Sequence, residues 1–412
     1  MERLPAFARI KVKLVRATLL LTVIALFHGC IGLKNYKLMH SGSVEQTNFL
    51  EKIPFEFRVG VPVVKAKING KEGWFLFDTG APNVISTEFR DELLLETKLK
   101  NKVTDSGGNV AKNQDYVSIE KIEIGSITFE NTAAIVQNLR TSDMFKCIDI
   151  DGIIGANLMR QAFWNLDYKN QEITFSDSLT ALALDSSYIG IDFIEKTQGT
   201  PLVSFTLNGF EAKKMTFDTG SNRGLSFPLQ VLQEMRDSLD LKESIEVGST
   251  TYGVGGKSKV DSVFHVRIDS ISMGELQLPS SVIGFDQHSN TFGTEVLENF
   301  DVILDWESDK VYMKPISDPD LNLETHGFGI HFTDGQIRVG SIYADSEAAE
   351  KLQLGDRILN MEEFELENLP FDEICSLLLA KTLKLDNRPS INLAIDREGE
   401  RVEVELKRVK LL

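Results

Sequence analysis

The sequence predicts a mainly β protein: two successive β-barrel units of like pattern, then a smaller α+β unit. Three observations predict it. The pattern around Pro62 recurs around Pro201, and that around Asp78 recurs around Asp218, a period of about 140 residues. Within each copy, apolar and polar residues alternate on both sides of an Asn-Gly turn, as paired strands require. After Pro315 the pattern stops, and the remaining residues repeat neither copy.

The bulk properties agree with this division. A chain of 412 residues is long enough for two or three domains, and 42% hydrophobic residues supply sizeable cores. The formal net charge of −17 argues against binding nucleic acid through phosphates, which needs clustered Lys and Arg. The three cysteines, Cys30, Cys147 and Cys375, lie far apart with no Cys-x-x-Cys pair. A zinc site or a disulfide framework is therefore not expected. A single Cys147–Cys375 bond is left open, and the assignment of the two residues to different units counts against it.

The amino terminus reads as a leader outside the fold. Arg3, Arg9, Lys11, Lys13 and Arg16 form a basic region, and Ala17 to Phe27 is an uncharged apolar run of signal-peptide length. The run ends at Gly29-Cys30, which resembles a bacterial lipobox. That resemblance implies cleavage after residue 29, lipidation of Cys30 and anchoring in the bacterial cell envelope, periplasmic or at the outer membrane. Residues 30–50 then form a linker.

Each repeated unit reads alike from start to finish. In the first, residues 51–180, Val61 to Ile68 is a strand, Asn69-Gly70 a turn, and Trp74 to Phe77 a returning strand that ends in Asp78-Thr79-Gly80-Ala81. In the second, residues 185–316, Pro201 to Leu207, Asn208-Gly209 and Lys214 to Phe217 lead to Asp218-Thr219-Gly220-Ser221. Downstream, Ile153-Ile154-Gly155 is matched by Thr291-Phe292-Gly293, with Val282-Ile283-Gly284 as a better string at a worse position. Short helical stretches follow at 156–161 and 294–299. Strands then carry Asp167-Tyr168 and Asp305-Trp306, and the last strands are Glu172 to Phe175 and Lys310 to Met313.

Two Asp-Thr-Gly tripeptides at equivalent positions point to chemistry. Facing carboxylates cannot both ionise at contact distance, so they share a proton and their titrations split. The ionised member takes a proton from water while the protonated one polarises a carbonyl. Phe77 and Phe217 limit water around each Asp. Thr79 and Thr219 can hydrogen-bond across to the opposite loop, and Gly80 and Gly220 allow a tight turn that brings their N–H groups to the carboxylates. Ser221, where the first copy has Ala81, can donate to Asp218. This makes Asp218 the expected more acidic member, with Asp78 holding the proton.

These motifs resemble the acid proteases, in particular bacterial aspartyl proteases of retropepsin-like lobe size, over roughly residues 52–314. The resemblance implies Asp78 and Asp218 as the catalytic pair, supported by Thr79, Gly80, Ala81, Thr219, Gly220 and Ser221. It also implies two lobes closing as an intramolecular pseudo-dimer, hence a monomer acting on peptide or protein without a metal or cofactor. Its glycine-tipped flap has a candidate in each lobe, at Gly107-Gly108 and at Tyr252-Gly253.

Residues 320–412 resemble a bacterial PDZ domain. The carriers are Gly327-Phe328-Gly329-Ile330, Ser346-Glu347-Ala348-Ala349 and Leu352-Gln353-Leu354-Gly355-Asp356-Arg357-Ile358-Leu359-Asn360. A helix from Phe371 to Thr382 and strands at 391–395 and 402–406 complete the pattern. The resemblance implies that Gly327, Phe328, Gly329 and Ile330 bind a peptide end, with the peptide added as a strand beside that helix. Gly-x-Ser-x-Gly, His-Glu-x-x-His and phosphate-binding glycine loops do not occur in the sequence. The remaining alternative to a peptidase is a protease-like, non-catalytic peptide-binding lipoprotein.

Overall fold

A computed structural model describes residues 33–104, 110–249, 252–253, 256–257, 260–319, 322–383, 385 and 387–412. The leader, Cys30 and the first flap candidate, Gly107-Gly108, lie outside the described residues.

The fold is mainly β. In the first lobe, strands Val61–Ile68 and Lys71–Asp78 form an antiparallel hairpin in which Ile68 pairs with Lys71. The two turn residues, Asn69 and Gly70, have φ of 48° and 84°, the left-handed pair that matches strand twist. The second lobe repeats the device: Pro201–Leu207 and Phe210–Phe217 meet at Asn208 and Gly209, with φ of 47° and 90°. The inward faces of both hairpins are buried, and the cores of the two lobes form one continuous hydrophobic cluster.

A six-stranded sheet runs across both lobes, three strands from each. Its order is Leu50–Pro54, Glu172–Ser176, Phe163–Asp167, Phe300–Asp305, Lys310–Pro315 and Ile189–Asp192. The central pair is antiparallel, with Trp164 opposite Leu304 and Asp167 opposite Asp301. Each half therefore meets the other through equivalent strands. Trp164, fully buried, stacks on Phe175 at 4.4 Å and packs at 5.2 Å from Phe77, directly behind Asp78. Behind Asp218, where position 302 is Val rather than Trp, Phe217 packs edge-on to Phe292, with centroids 5.4 Å apart.

The C-terminal unit has its own core. Strands Phe328–Thr333, Gln336–Tyr343, Arg357–Met361, Ser390–Arg397 and Glu400–Lys407 pack with helices Ala348–Lys351 and Phe371–Leu379. It is joined to the two lobes by different means. Strand Glu243–Gly248 of the second lobe pairs antiparallel with Gln336–Tyr343, so a sheet passes without a break from one unit into the other. To the first lobe the link is covalent.

That link corrects the reading of the cysteines: Cys147 and Cys375 are bonded, with Cα atoms 5.0 Å apart across 228 residues of sequence. The physical reason is docking. Helix Asp143–Ile148 belongs to the first lobe, yet its Cys147 is buried in the C-terminal core against helix Phe371–Leu379. The Asp143 carboxylate also accepts the N–H of Gly335 at 2.8 Å.

Candidate active site

Parallel pairing places the two aspartates. Strand Gly152–Gly155 lies alongside Lys71–Asp78 with Ile154 opposite Phe77 and Gly155 opposite Asp78. In the second lobe Thr291–Phe292 pairs with Phe210–Phe217, Phe292 opposite Phe217, and the Asp218 N–H donates to the Phe292 carbonyl at 2.9 Å. Thr291-Phe292-Gly293 is thus the counterpart of Ile153-Ile154-Gly155. Val282-Ile283-Gly284 instead sits in strand Ser281–Asp286, two strands further out, beyond Leu225–Pro228. The helices that follow are single turns, Ala156–Met159 and Thr294–Leu297, shorter than the sequence pattern. Equivalent bonds hold both junctions: Ala156 N–H to the Ala81 carbonyl at 2.9 Å, and Thr294 N–H to the Ser221 carbonyl at 2.8 Å.

The two loops interlock through their threonines. The Thr79 N–H donates to Thr219 Oγ1 at 3.0 Å, and the Thr219 N–H to Thr79 Oγ1 at 3.1 Å. Each hydroxyl then donates onward, Thr79 to the Phe217 carbonyl and Thr219 to the Phe77 carbonyl. Both threonines are fully buried. Four bonds in a dry environment fix the loops face to face. The glycines have a second role that the motif alone does not disclose. A Cβ on Gly80 would stand 2.7 Å from Asp218 Cγ, and one on Gly220 would enter the Asp78 carboxylate. The absent side chains make room for the opposite aspartate.

The carboxyl groups share a hydrogen bond, and burial raises both pKa values. Burial lifts Asp78 to about 6, opposed by the N–H groups of Gly80 at 2.7 Å and Ala81 at 3.1 Å. Burial, and then the Asp78 charge, lift Asp218 well above the ordinary carboxylate range. Against that, Asp218 receives one backbone donor, Gly220 at 3.0 Å. Two backbone donors on Asp78 against one on Asp218 favour the charged form of Asp78 within the coupled pair. This reverses the expectation drawn from Ser221. Its N–H goes to the Asp218 carbonyl at 3.4 Å, and its hydroxyl accepts from the Arg223 N–H, so neither reaches the carboxylate.

Several supporting residues carry no motif. Asn83 and Asn157 are buried behind the first loop. Asn83 accepts from Gly155 N–H at 2.7 Å, both amides donate to the Ala133 carbonyl, and Asn157 accepts the Asn83 N–H. At the equivalent places the second lobe has Arg223 and Glu295. The Thr200 hydroxyl donates to the Gly80 carbonyl at 3.2 Å, and the Lys196 charge bears on Asp218. A position five residues after Asp78 and fully polar was the available signal for Asn83; Thr200 and Lys196 offered none.

The remaining candidates lie elsewhere. Tyr252–Gly253 pairs with Gly256–Lys257 as a small hairpin beyond strands Glu243–Gly248 and Asp261–Ile268 of the second lobe. Gly327 takes φ of 88°, and a Cβ there would strike Ser346. Phe328, Gly329 and Ile330 line a cleft against the end of helix Phe371–Leu379.

Residues 64–158 match the family model described as aspartyl protease. That span holds the Asp78 loop, Asn83 and the Gly152–Gly155 strand. No curated protein matches the chain. Among solved structures, a retropepsin-like aspartic protease from Rickettsia conorii matches at 19% identity over 33% of this chain and 92% of that one, with a TM-score of 0.25. The family match supports an aspartyl protease.

Proposed function

We propose that the chain is an exported aspartic endopeptidase, with Asp78 and Asp218 as its catalytic residues. The observation that carries this is the juxtaposition of two buried carboxyl groups that share one proton, held by reciprocal threonine bonds. Such a pair can bind a water between them. Ionised Asp78 takes a proton from that water as its oxygen attacks the peptide carbonyl carbon, and protonated Asp218 gives its proton to the carbonyl oxygen. The tetrahedral diol then collapses. The C–N bond breaks, the leaving nitrogen takes a proton from Asp78, and a hydroxyl of the diol returns one to Asp218. Two intact loops favour this over a non-catalytic binding protein.

Within the same reading, residues 320–412 are a PDZ-type unit that recruits or positions substrate. Strand Phe328–Thr333 pairs with Gln336–Tyr343 alone among the described strands, which leaves an edge beside helix Phe371–Leu379 for an added peptide strand. Export to the cell envelope, with a lipid on Cys30, is supported by the basic-apolar leader and by the Cys147–Cys375 bond, since disulfides persist in oxidising compartments. The deciding experiment incubates wild type and Asp78→Asn with a diverse peptide pool and maps new termini by mass spectrometry. Cleavage by wild type alone is expected. Equal cleavage by both, or none by either across a wide pH range, rejects the assignment.

A further inference from the structure

We propose that Met39 is a positioning residue: it keys residues 33–44 as a strap that holds the first-lobe hairpin of strands Thr97–Thr104 and Val110–Ile124 in its working stance. The strap serves the peptidase site and rests on that reading for its kinetic effect.

The stretch that the sequence marks as a linker is packed instead. Residues 33–39 are helical, and strand Ser43–Val44 pairs with Ile127–Gln137, Ser43 opposite Glu130. Met39 is 2% exposed and is the single buried residue of 33–44. It packs with Tyr116, Ala133 and Ile135, and with half-buried Leu38, Leu99 and Val103. Period-two alternation explains the arrangement. Val117, Ile119, Ala134 and Val136 turn into the main core, so Tyr116, Ala133 and Ile135 point out of the opposite face. Among the described residues, Leu38 and Met39 are the only members of this cluster from outside the hairpin and strand Ile127–Gln137. The apolar cover of that face is therefore the strap's own.

Gly42 shows that the strap follows a fitted path. Its φ is 111°, and a Cβ on it would stand 2.8 Å from Gln161 Nε2 and 2.9 Å from Thr132 Oγ1. Both the angle and the space call for glycine. The Ser41 hydroxyl donates to the Leu38 carbonyl at 2.7 Å, and the Gln46 side chain accepts the Thr128 N–H at 2.8 Å. Yet the hold is light. It consists of a two-residue ladder and one buried side chain, against five paired residues for Leu50–Pro54. An element held that way can seat and unseat without unfolding the lobe.

The strap meets supports of the Asp78 loop from both lobes. The Ile135 N–H donates to the Asn83 carbonyl at 2.9 Å, and the Asn83 amide donates to the Ala133 carbonyl at 3.1 Å. Two of the residues that Met39 covers thus hold Asn83, and Tyr116 of the hairpin lies opposite Ile135. Toward the second lobe, His40 Nε2 stands 4.0 Å from a Glu195 oxygen that also pairs with Arg160 at 3.2 Å. Glu195 lies opposite Pro201, next to Thr200, whose hydroxyl holds the Gly80 carbonyl. Both routes end on the Asp78 loop, so a hairpin seated by Met39 keeps one stance relative to it.

The test uses the full chain and two readouts. Hydrogen exchange read by mass spectrometry follows residues 97–104 and 110–124, with strand Lys71–Asp78 as the internal reference. Met39→Ala should speed exchange in the hairpin by at least about tenfold and leave the reference unchanged, because truncating this side chain loosens the hairpin and not the main core. For a peptide that wild type cleaves, the same variant should raise KM by at least about threefold with kcat within about twofold, since grip on the substrate weakens while the aspartate pair is untouched. Met39→Leu nearly conserves volume and should keep wild-type values in both readouts. Unchanged hairpin exchange, equally faster exchange in the reference, or faster hairpin exchange with unchanged KM overturns the proposal. A wild type that cleaves nothing fails the peptidase reading on the hydrolysis assay, while exchange still decides whether Met39 holds the hairpin.

Discussion

Behind Asp78 stands a net of buried amides; behind Asp218 stands a half-exposed arginine. Asn83 and Asn157 tie the first loop to Gly155 and Ala133 with neutral groups. In the second lobe Arg223 turns outward to Ser289 at 2.7 Å and to Asp286 at 3.8 Å. The loops in front differ accordingly. The Ala81 N–H reaches its carboxylate, whereas the Ser221 N–H turns to a main-chain carbonyl. One more donor on a buried carboxylate favours its charged form. The two aspartate loops thereby offer unequal support to a negative charge, a difference that a general base and a general acid would use.

Four experiments probe this comparison. The largest effect is expected where the lobes are equal. Asp218→Asn should abolish hydrolysis as fully as Asp78→Asn, each by at least about a thousandfold in kcat, the scale of general acid–base catalysis. If one variant keeps substantial activity, the two carboxyls do not act as a pair.

The interlock should be symmetric as well. Thr79→Val leaves the Phe217 carbonyl and the Thr219 N–H without partners, and Thr219→Val leaves the mirror pair. Each should cost about 2–4 kcal/mol in urea denaturation, from two unsatisfied buried groups. A large difference between the two would show that one lobe carries the interface.

The attachments of the C-terminal unit should differ in kind. Cys375→Ser cuts its covalent tie to the first lobe and leaves the strand ladder to the second lobe in place. A loss of about 2–4 kcal/mol is expected, with no more than a small change in kcat for a short peptide. Mild reductant applied to wild type should reproduce the loss. An unchanged urea midpoint would mean that the ladder alone holds the unit.

The smallest effect tests the asymmetry itself. Activity should rise with pH through about 6 as Asp78 loses its proton, and fall at higher pH as Asp218 loses its own. Both carboxyls hold protons more tightly folded than unfolded. Their contribution to stability is therefore greatest at low pH and is lost as pH rises from the ordinary carboxylate range through about 6. Ser221→Ala should leave the acid limb of the kcat/KM profile within about 0.3 pH units, because the hydroxyl faces Arg223. An upward move of half a unit or more, on the order of 0.7 kcal/mol, would restore Ser221 as a donor to the dyad.

The parts of the fold legible in the sequence were those with local causes. Asn-Gly between alternating strands specifies a two-residue turn with two positive φ angles, and both turns form as the pattern requires. Spacings of 16 residues from Pro62 to Asp78 and 17 from Pro201 to Asp218 bring each aspartate to the same strand end, the extra residue being taken up by an irregularity in the second hairpin. The tripeptide loops carried enough chemistry to name the threonine cross-bonds. Thr291-Phe292-Gly293 was harder, because a strand of two residues leaves almost no pattern. Thr200 and Lys196 were silent because such residues show their partners only when distant segments meet.

By itself, then, the sequence determined the paired strands, the two aspartate loops and a C-terminal unit of different pattern. All of these follow from turn chemistry, period-two alternation and repetition along the chain. Tertiary structure decided what depends on contacts between distant segments. It brought Cys147 to Cys375 across a unit boundary, and made Gly80 and Gly220 a clearance for the opposite carboxylate. It turned Ser221 away from Asp218 and seated Met39 against Tyr116 and Ile135. The reason is common to all four. Each is fixed by how two packed surfaces meet, and a residue's own neighbours in sequence carry no record of that meeting.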